Sequence, residues 1–181
     1  MGRQSVEPPP VEARTGRRGR GRAVSGERLG GFIYGTIVAL SVVVATSRAY
    51  AHDPGHSAAI VAVTSCVFWL AHVYAHGLGE SVAGDRRLQL DEWLHVARRE
   101  FALVEAAVPP VVALLLGAVG LISARGAYWL AVGVGLAVLV VEGIRFARIE
   151  RLGLMATVVV VAANLSLGLV LVALKLAVTH H

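Results

Sequence analysis

Three ionisable side chains recur every four residues in the apolar segment CVFWLAHVYAHGLGE, which covers residues 66–80. They are His72, His76 and Glu80. Because residues four apart lie on the same face of a helix, the two histidines share a face and Glu80 lies at its edge. Histidine changes its charge near neutral pH and is also a common metal ligand. The segment therefore predicts polar chemistry on a helix that is otherwise hydrophobic.

Two other apolar segments carry ionisable residues that belong to the same prediction. Glu142 and Arg145 are three apart, which is the spacing of an ion pair on a helix. Glu105 lies near the start of another apolar run. With a helical rise of about 1.5 Å per residue, His72, Glu105 and Glu142 fall at similar depths when each run crosses a membrane. We therefore predict one polar cluster, formed by His72, His76, Glu105, Glu142 and Arg145.

Three functions compete for this cluster. Buried polar groups often form hydrogen bonds between membrane helices, which would make the cluster purely structural. Ionisable groups inside a membrane also mark paths for protons or cations. In the third alternative, His72 and His76 bind one metal ion, and Glu105 or Glu142 completes the site. We favour a transport-like or channel-like protein for cations or protons, with a structural or interaction protein and a metal-binding protein as alternatives.

Catalytic and cofactor motifs are missing from the sequence. The histidine-rich boxes of membrane di-iron enzymes do not occur, and no two separate spans carry well-placed histidines for a b-type haem. Cys66 is the single cysteine, which excludes an intramolecular disulfide and a cysteine-based metal site. We therefore predict no enzyme, no catalytic residues and no cofactor.

Composition places the chain in the membrane class. Hydrophobic residues make up 56% of the 181 residues and charged residues only 16%. A soluble domain of this length could not bury so much apolar surface. The predicted class is an all-α, polytopic helical membrane protein, with residues 29–178 forming a five-span membrane domain. The predicted spans cover about 31–49, 57–78, 101–123, 127–144 and 154–177.

Two features modify this simple series of spans. Pro109-Pro110 should kink or divide the third span, because proline interrupts the hydrogen bonds of a helix. Before it, residues 88–100 predict an amphipathic helix at the membrane interface. Its expected apolar stripe is Leu90, Trp93, Leu94, Ala97 and Phe101.

The distribution of Arg and Lys predicts the orientation. The N-terminal tail, the segment 79–100 and the segment 145–153 carry fourteen, against three on the other side: Arg48, Arg125 and Lys175. Since cytoplasmic loops are enriched in Arg and Lys, the N-terminus should be cytoplasmic and the C-terminus outside. The Arg-rich composition is typical of GC-rich bacteria, so we expect the bacterial cytoplasmic membrane.

Partners are predicted for the two ends of the first span. Residues 1–28 form a basic tail with few apolar residues, which predicts disorder and contact with anionic lipid headgroups rather than nucleic acid. Gly31, Gly35 and Ala39 form a face of small residues that allows close helix packing. We expect a homo-oligomer, because few polar faces are available to enclose a path in one chain.

The first two spans resemble a known channel family. In RLGGFIYGTIVAL, Arg28, Phe32 and Gly35 keep the spacing of R-x-x-x-F-S-D-G, the start of the first span in transmembrane-protein-175-type potassium channels. Trp69 and His72 similarly match the W-x-x-H of that family's second span. The resemblance implies that these groups brace a pore-lining first helix. Over its whole length the chain resembles uncharacterised small integral membrane proteins of high-GC bacteria.

Overall fold

The part of the chain that the structure describes consists of helices and the short segments that connect them. The computed structural model describes residues 11–85 and 87–178, with side chains at residues 26, 28–85, 87–170 and 173. No strand occurs among these residues, which confirms the all-α class. The helices are α1 (Val11–Ala49), α2 (Pro54–Ala83), α3 (Leu90–Glu100), α4 (Ala102–Glu105), α5 (Val108–Ala118), α6 (Ala124–Ile149) and α7 (Leu154–Val178).

Three of these helices are long and apolar enough to cross a bilayer. They are the Arg28–Ala49 part of α1, α2 and α6. Helices α3 and α4 together with α5 also pass this test as a pair, but the pair is bent by 48°. The described apolar part of α7, Leu154–Val170, is shorter than a full span. The prediction of a membrane protein is thus supported, with three or four candidate spans in place of the predicted five.

The predicted third span, residues 101–123, differs most from the structure. Helix α4 ends at Glu105, and α5 starts at Val108 with prolines in its first turn and ends at Ala118. Pro109 and Pro110 lack the N–H groups that would continue the preceding helix, which explains the break. Residues 119–123 form the loop to α6 instead of a last helical turn.

Helix α3 lies where the sequence predicted an amphipathic helix, but its buried face differs from the expected stripe. Val96 and Glu100 are buried, and Trp93 and Ala97 are half-buried beside them. Leu90, Leu94 and Phe101, which belong to the predicted stripe, are exposed. The stripe is divided because α3 packs one side against α2 and leaves the other side exposed.

Helix α1 starts earlier than the predicted first span. It begins at Val11, so residues 11–28 are helical where the sequence predicted a disordered tail. Arginine is a good helix former, and no proline follows Pro10 before the membrane span. The rest of the tail, residues 1–10, and the C-terminal residues 179–181 lie outside the described residues.

Short loops define two ends of the helical bundle. At the end that we call the basic end, α2 is joined to α3 by residues 84–89 and α6 to α7 by residues 150–153. At the other end of the bundle, which we call the opposite end, α1 is joined to α2 by residues 50–53 and α5 to α6 by residues 119–123. Between them lies an apolar core, whose buried members include Ala39, Val43, Val61, Leu114 and Ala131.

The bent pair extends along the whole of α2. Close to the basic end, Trp93 of α3 contacts Gly77 of α2. At the opposite end, Gly117 of α5 packs against Pro54, the first residue of α2. The segment from α3 to α5 therefore runs from one end of the bundle to the other.

Candidate functional site: three polar contacts and a cavity

His72 lies on the α1-facing side of α2. Its Nδ1 atom is 3.0 Å from the carbonyl oxygen of Phe68, one turn earlier in the same helix. Its ring packs against Tyr34 of α1, with 5.3 Å between the ring centroids. The ring of His76 is 6.0 Å away on the same face, as the spacing predicted.

His76 contacts a charged group that the sequence analysis did not include. Its Nδ1 atom is 3.2 Å from Oε1 of Glu100, at the end of α3. Arg99 extends this contact, since its guanidinium lies 3.4 Å from Glu100 and 3.1 Å from Glu80. The result is a network of His76, Glu100, Arg99 and Glu80 that joins α2 to α3.

Glu100 could have been found from the sequence. It lies seven residues after Trp93, and two helical turns bring a residue back to the same face. The predicted apolar stripe of α3 did not include Glu100. The buried position of Glu100 shows that the face towards α2 ends in a carboxylate.

Glu105 lies apart from the histidines. Both of its carboxylate oxygens accept hydrogen bonds from Nη2 of Arg28, at 3.1 and 3.2 Å. Both side chains are substantially exposed. This ion pair joins α4 to α1, which also makes contact through Gly35 and Leu103.

Glu142 is the most deeply buried carboxylate among the described residues. Only 4% of the residue is exposed, and its Oε1 atom accepts a hydrogen bond from Nη1 of Arg145 at 2.6 Å. Its second oxygen, Oε2, is buried and has no hydrogen-bond partner within the described part of the chain. The same holds for Nδ2 of Asn164 in α7.

Gly143, the residue after Glu142 in α6, allows Asn164 of α7 to approach α6 closely. A Cβ atom at Gly143 would lie 3.2 Å from Nδ2 of Asn164, so the absence of a side chain allows α7 to approach here. Asn164 shares a helix face with Thr157 and Gly168. Near Gly143, α6 and α7 thus each carry one buried polar atom with unused hydrogen-bonding capacity in the described structure: Oε2 of Glu142 and Nδ2 of Asn164.

The predicted single cluster is thus divided into three contacts. His76 of α2 contacts Glu100 of α3, with His72 one turn away on the same face of α2. Glu105 pairs with Arg28, and the predicted pair of Glu142 and Arg145 is confirmed. Depth along a helix predicts height in the membrane but not which helices are neighbours. This explains why residues at similar depth do not meet.

The structure does not complete the metal site predicted around His72 and His76. Among residues 11–85 and 87–178, no group of three His, Cys, Asp or Glu side chains is placed to hold a metal ion. Glu105 and Glu142, the predicted third ligands, pair with arginines instead.

The opposite end contains a cavity that the sequence analysis missed. Its volume is about 830 Å³, and its lining includes Arg48, His52, Arg125 and Trp129. Tyr128 closes one side, where its hydroxyl donates to the carbonyl oxygen of Tyr50 at 2.7 Å and lies 2.6 Å from Oγ of Ser57. The sequence offered one signal for this cavity, because Arg48 and Arg125 both lie on the side of the membrane that was predicted to face outside.

No protein-family model, curated protein or solved structure matches this chain significantly. The resemblance to the potassium channel family therefore stays a prediction.

Proposed function

We propose that this membrane protein binds a proton or a small cation at Glu142 and moves it across the bilayer. The observation that carries the proposal is the buried carboxylate of Glu142, with Oε2 left without a partner in the described residues. Ionisable groups inside a membrane are costly and usually serve an ion or proton path. A carboxylate oxygen of this kind can accept a proton or bind a cation.

The position of Glu142 fits a binding site entered from the basic end. It lies seven residues before the end of α6 at Ile149, a distance of about 10 Å along the helix. Arg145, its partner, is mostly exposed, so the path from Glu142 to that end is short and polar. Asn164 supplies an amide whose oxygen and nitrogen are exchangeable by rotation, so it can donate to the carboxylate or bind a cation.

A layer of leucines closes the route from Glu142 to the opposite end. Leu40 and Leu139 are both fully buried. Leu40 packs against Gly135, and Leu139 packs against Gly168. Glycine at these two positions lets the leucine side chains pack directly against the backbone of the neighbouring helix, which brings α1, α6 and α7 close together. Transport therefore requires these helices to move apart, and we propose that this layer is the gate.

We further propose that the chain crosses the membrane five times, with the bent pair from α3 to α5 acting as the third span and α7 as the fifth. The contacts of this pair with both ends of α2 support a crossing. The N-terminus would then be cytoplasmic and the C-terminus outside, in agreement with the Arg and Lys counts. Contact of the N-terminal tail with anionic lipids belongs to the same proposal.

Flux measurements on purified protein in liposomes test the proposed site. A potassium gradient with valinomycin sets the membrane potential, and an internal pH dye reports proton entry. Separate vesicles report K⁺ and Na⁺ flux, which identifies the transported ion. We expect flux above that of empty vesicles, and its loss in Glu142→Gln, which keeps the size of the side chain but removes its charge.

Glu105→Gln is the matched control, because it removes the same charge from an exposed ion pair near the basic end. It should keep most of the flux. Equal flux in wild type and Glu142→Gln would contradict a role for this carboxylate, and wild-type flux equal to that of empty vesicles would contradict transport altogether.

The alternative of a structural protein is favoured by a different observation. Three contacts between polar side chains join neighbouring helices: Arg28 with Glu105, His76 with Glu100 and Arg99 with Glu80. In a purely structural protein, Glu142→Gln would change thermal stability and yield, while no flux would be measured in any variant.

A further inference from the structure

The cavity at the opposite end concentrates positive charge. Residues 44–57 and 117–132, which surround this end, contain two Arg or Lys residues, Arg48 and Arg125, and both line the cavity. They come from different helices, because Arg48 is in the last turn of α1 and Arg125 is in the first turn of α6. His52 adds a third nitrogen-bearing side chain from the connecting loop.

No acidic residue is part of the lining of this cavity. Asp53 is the one acidic residue in these two segments, and it is not part of the lining. Its carboxylate instead accepts the backbone N–H of His56 at 2.9 Å and caps the start of α2. The lining of the cavity therefore contains two arginines and no acidic residue.

The remaining walls fit an amphiphile. Val44 and Val132 supply apolar surface, and Trp129 contributes a large ring that is 72% exposed. Tryptophan is enriched at the level of lipid headgroups, where one side of the ring is apolar and the other is wet. The cavity also includes the start of α6, whose first N–H groups favour an anion.

We propose that this cavity binds the phosphate of an anionic phospholipid. Arginine binds phosphate through two parallel N–H bonds, and two arginines from separate helices can hold one phosphate between them. The glycerol and acyl chains would then lie against Val44, Val132 and Trp129. Binding would join the ends of α1 and α6, so that the lipid stabilises this end of the bundle.

Native mass spectrometry of the detergent-solubilised full-length chain tests the site. The protein is titrated with phosphatidylglycerol and, in parallel, with zwitterionic phosphatidylcholine. We expect preferential binding of phosphatidylglycerol, weakened about fivefold or more in each of Arg48→Gln and Arg125→Gln, since a basic residue contributes about this factor at a membrane surface. Arg125→Lys should be intermediate, because it keeps the charge but loses the paired N–H bonds.

Arg148→Gln is the matched control. It removes the same charge from the other end of α6, away from the cavity. Equal weakening of phosphatidylglycerol binding in this control would overturn the proposal, because it would mean diffuse attraction by net charge. Wild-type protein that binds both lipids equally would overturn it as well. Thermal unfolding of each apo variant shows whether it is folded, and Arg125→Lys tests the site if a glutamine variant is not.

Inorganic phosphate distinguishes a lipid from a free anion. If the lipid is the ligand, millimolar phosphate should not displace phosphatidylglycerol from the wild type. Displacement that depends on Arg48 and Arg125 would support an anion site in the cavity but assign it to free phosphate, which overturns the lipid as its occupant.

Discussion

The indole ring of Trp93 in α3 lies where a side chain on Gly77 in α2 would stand. A second tryptophan strengthens this contact, because Nε1 of Trp69 donates a hydrogen bond to the carbonyl oxygen of Ala97 at 3.0 Å. Through these two contacts α3 is attached to α2 by packing as well as by the network around Glu100. Helix α3 is thereby a fixed part of the bundle.

Substitution of Gly77 should detach α3. In Gly77→Ala the new methyl group overlaps the ring of Trp93, and overpacking of this kind costs about 1–3 kcal/mol. We expect a lower midpoint of thermal unfolding in detergent, with an altered tryptophan fluorescence of the folded state. Gly79→Ala is the control, since a Cβ at Gly79 meets nothing within 4 Å among the described residues. A similar loss of stability in both variants would contradict the contact.

Gly35 provides a second test, which also concerns oligomerisation. A Cβ atom at Gly35 would lie 2.6 Å from the carbonyl oxygen of Leu103, so α4 covers the face of small residues that we expected to contact a second copy. Gly35→Ala should therefore lower the thermal stability of the protein without changing its oligomeric state. In the control Gly30→Ala, the new methyl group would meet nothing within 4 Å among the described residues, so neither thermal stability nor oligomeric state should change.

Light scattering after size-exclusion chromatography measures the oligomeric state of these variants. Dissociation of an oligomer by Gly35→Ala at unchanged thermal stability would show that this face contacts another copy. A homo-oligomer remains predicted from the need to enclose a path, but its contact face must lie elsewhere.

Run length and hydropathy were sufficient to predict α2 and α6, because each contains an apolar stretch long enough to cross a bilayer. The pairing of charges was less predictable. Glu142 and Arg145 were found because both lie on one helix, where spacing determines distance. The partner of Glu105 depends on which helix packs beside α4, and that is decided by a glycine contact at Gly35 that spacing alone does not reveal.

Tyr128 and Ser57 form a polar contact inside the opposite end, where Ser57 is fully buried. Tyr128→Phe should lower the free energy of unfolding by about 1–3 kcal/mol, because it leaves the serine hydroxyl without this partner. Ser57→Ala in addition removes the hydroxyl, so the double variant should lose less than the sum of the two single variants. A double-mutant cycle of thermal or denaturant unfolding measures this coupling. Strict additivity would contradict a direct hydrogen bond.

The proposed topology predicts the reactivity of single cysteines. In a Cys66→Ala background, Leu121→Cys and Asp85→Cys should react with an impermeant maleimide from opposite sides, because the bent pair separates them. Labelling from the same side would show that α3 to α5 re-enters the membrane without crossing it. An alkaline-phosphatase fusion after His181 should be active and one within residues 85–99 inactive, and the reverse would overturn the orientation.

The two histidines should respond differently to substitution. His76→Ala removes the contact with Glu100 in α3 and should lower the free energy of unfolding by about 1 kcal/mol. His72→Ala should lower the free energy of unfolding by less, because Nδ1 of His72 contacts a carbonyl oxygen of its own helix. Since no group of three His, Cys, Asp or Glu side chains among the described residues is placed to hold a metal ion, we expect no stoichiometric transition metal in the purified protein. Elemental analysis checks this, and a bound metal that is lost in both variants would instead establish these histidines as a metal site.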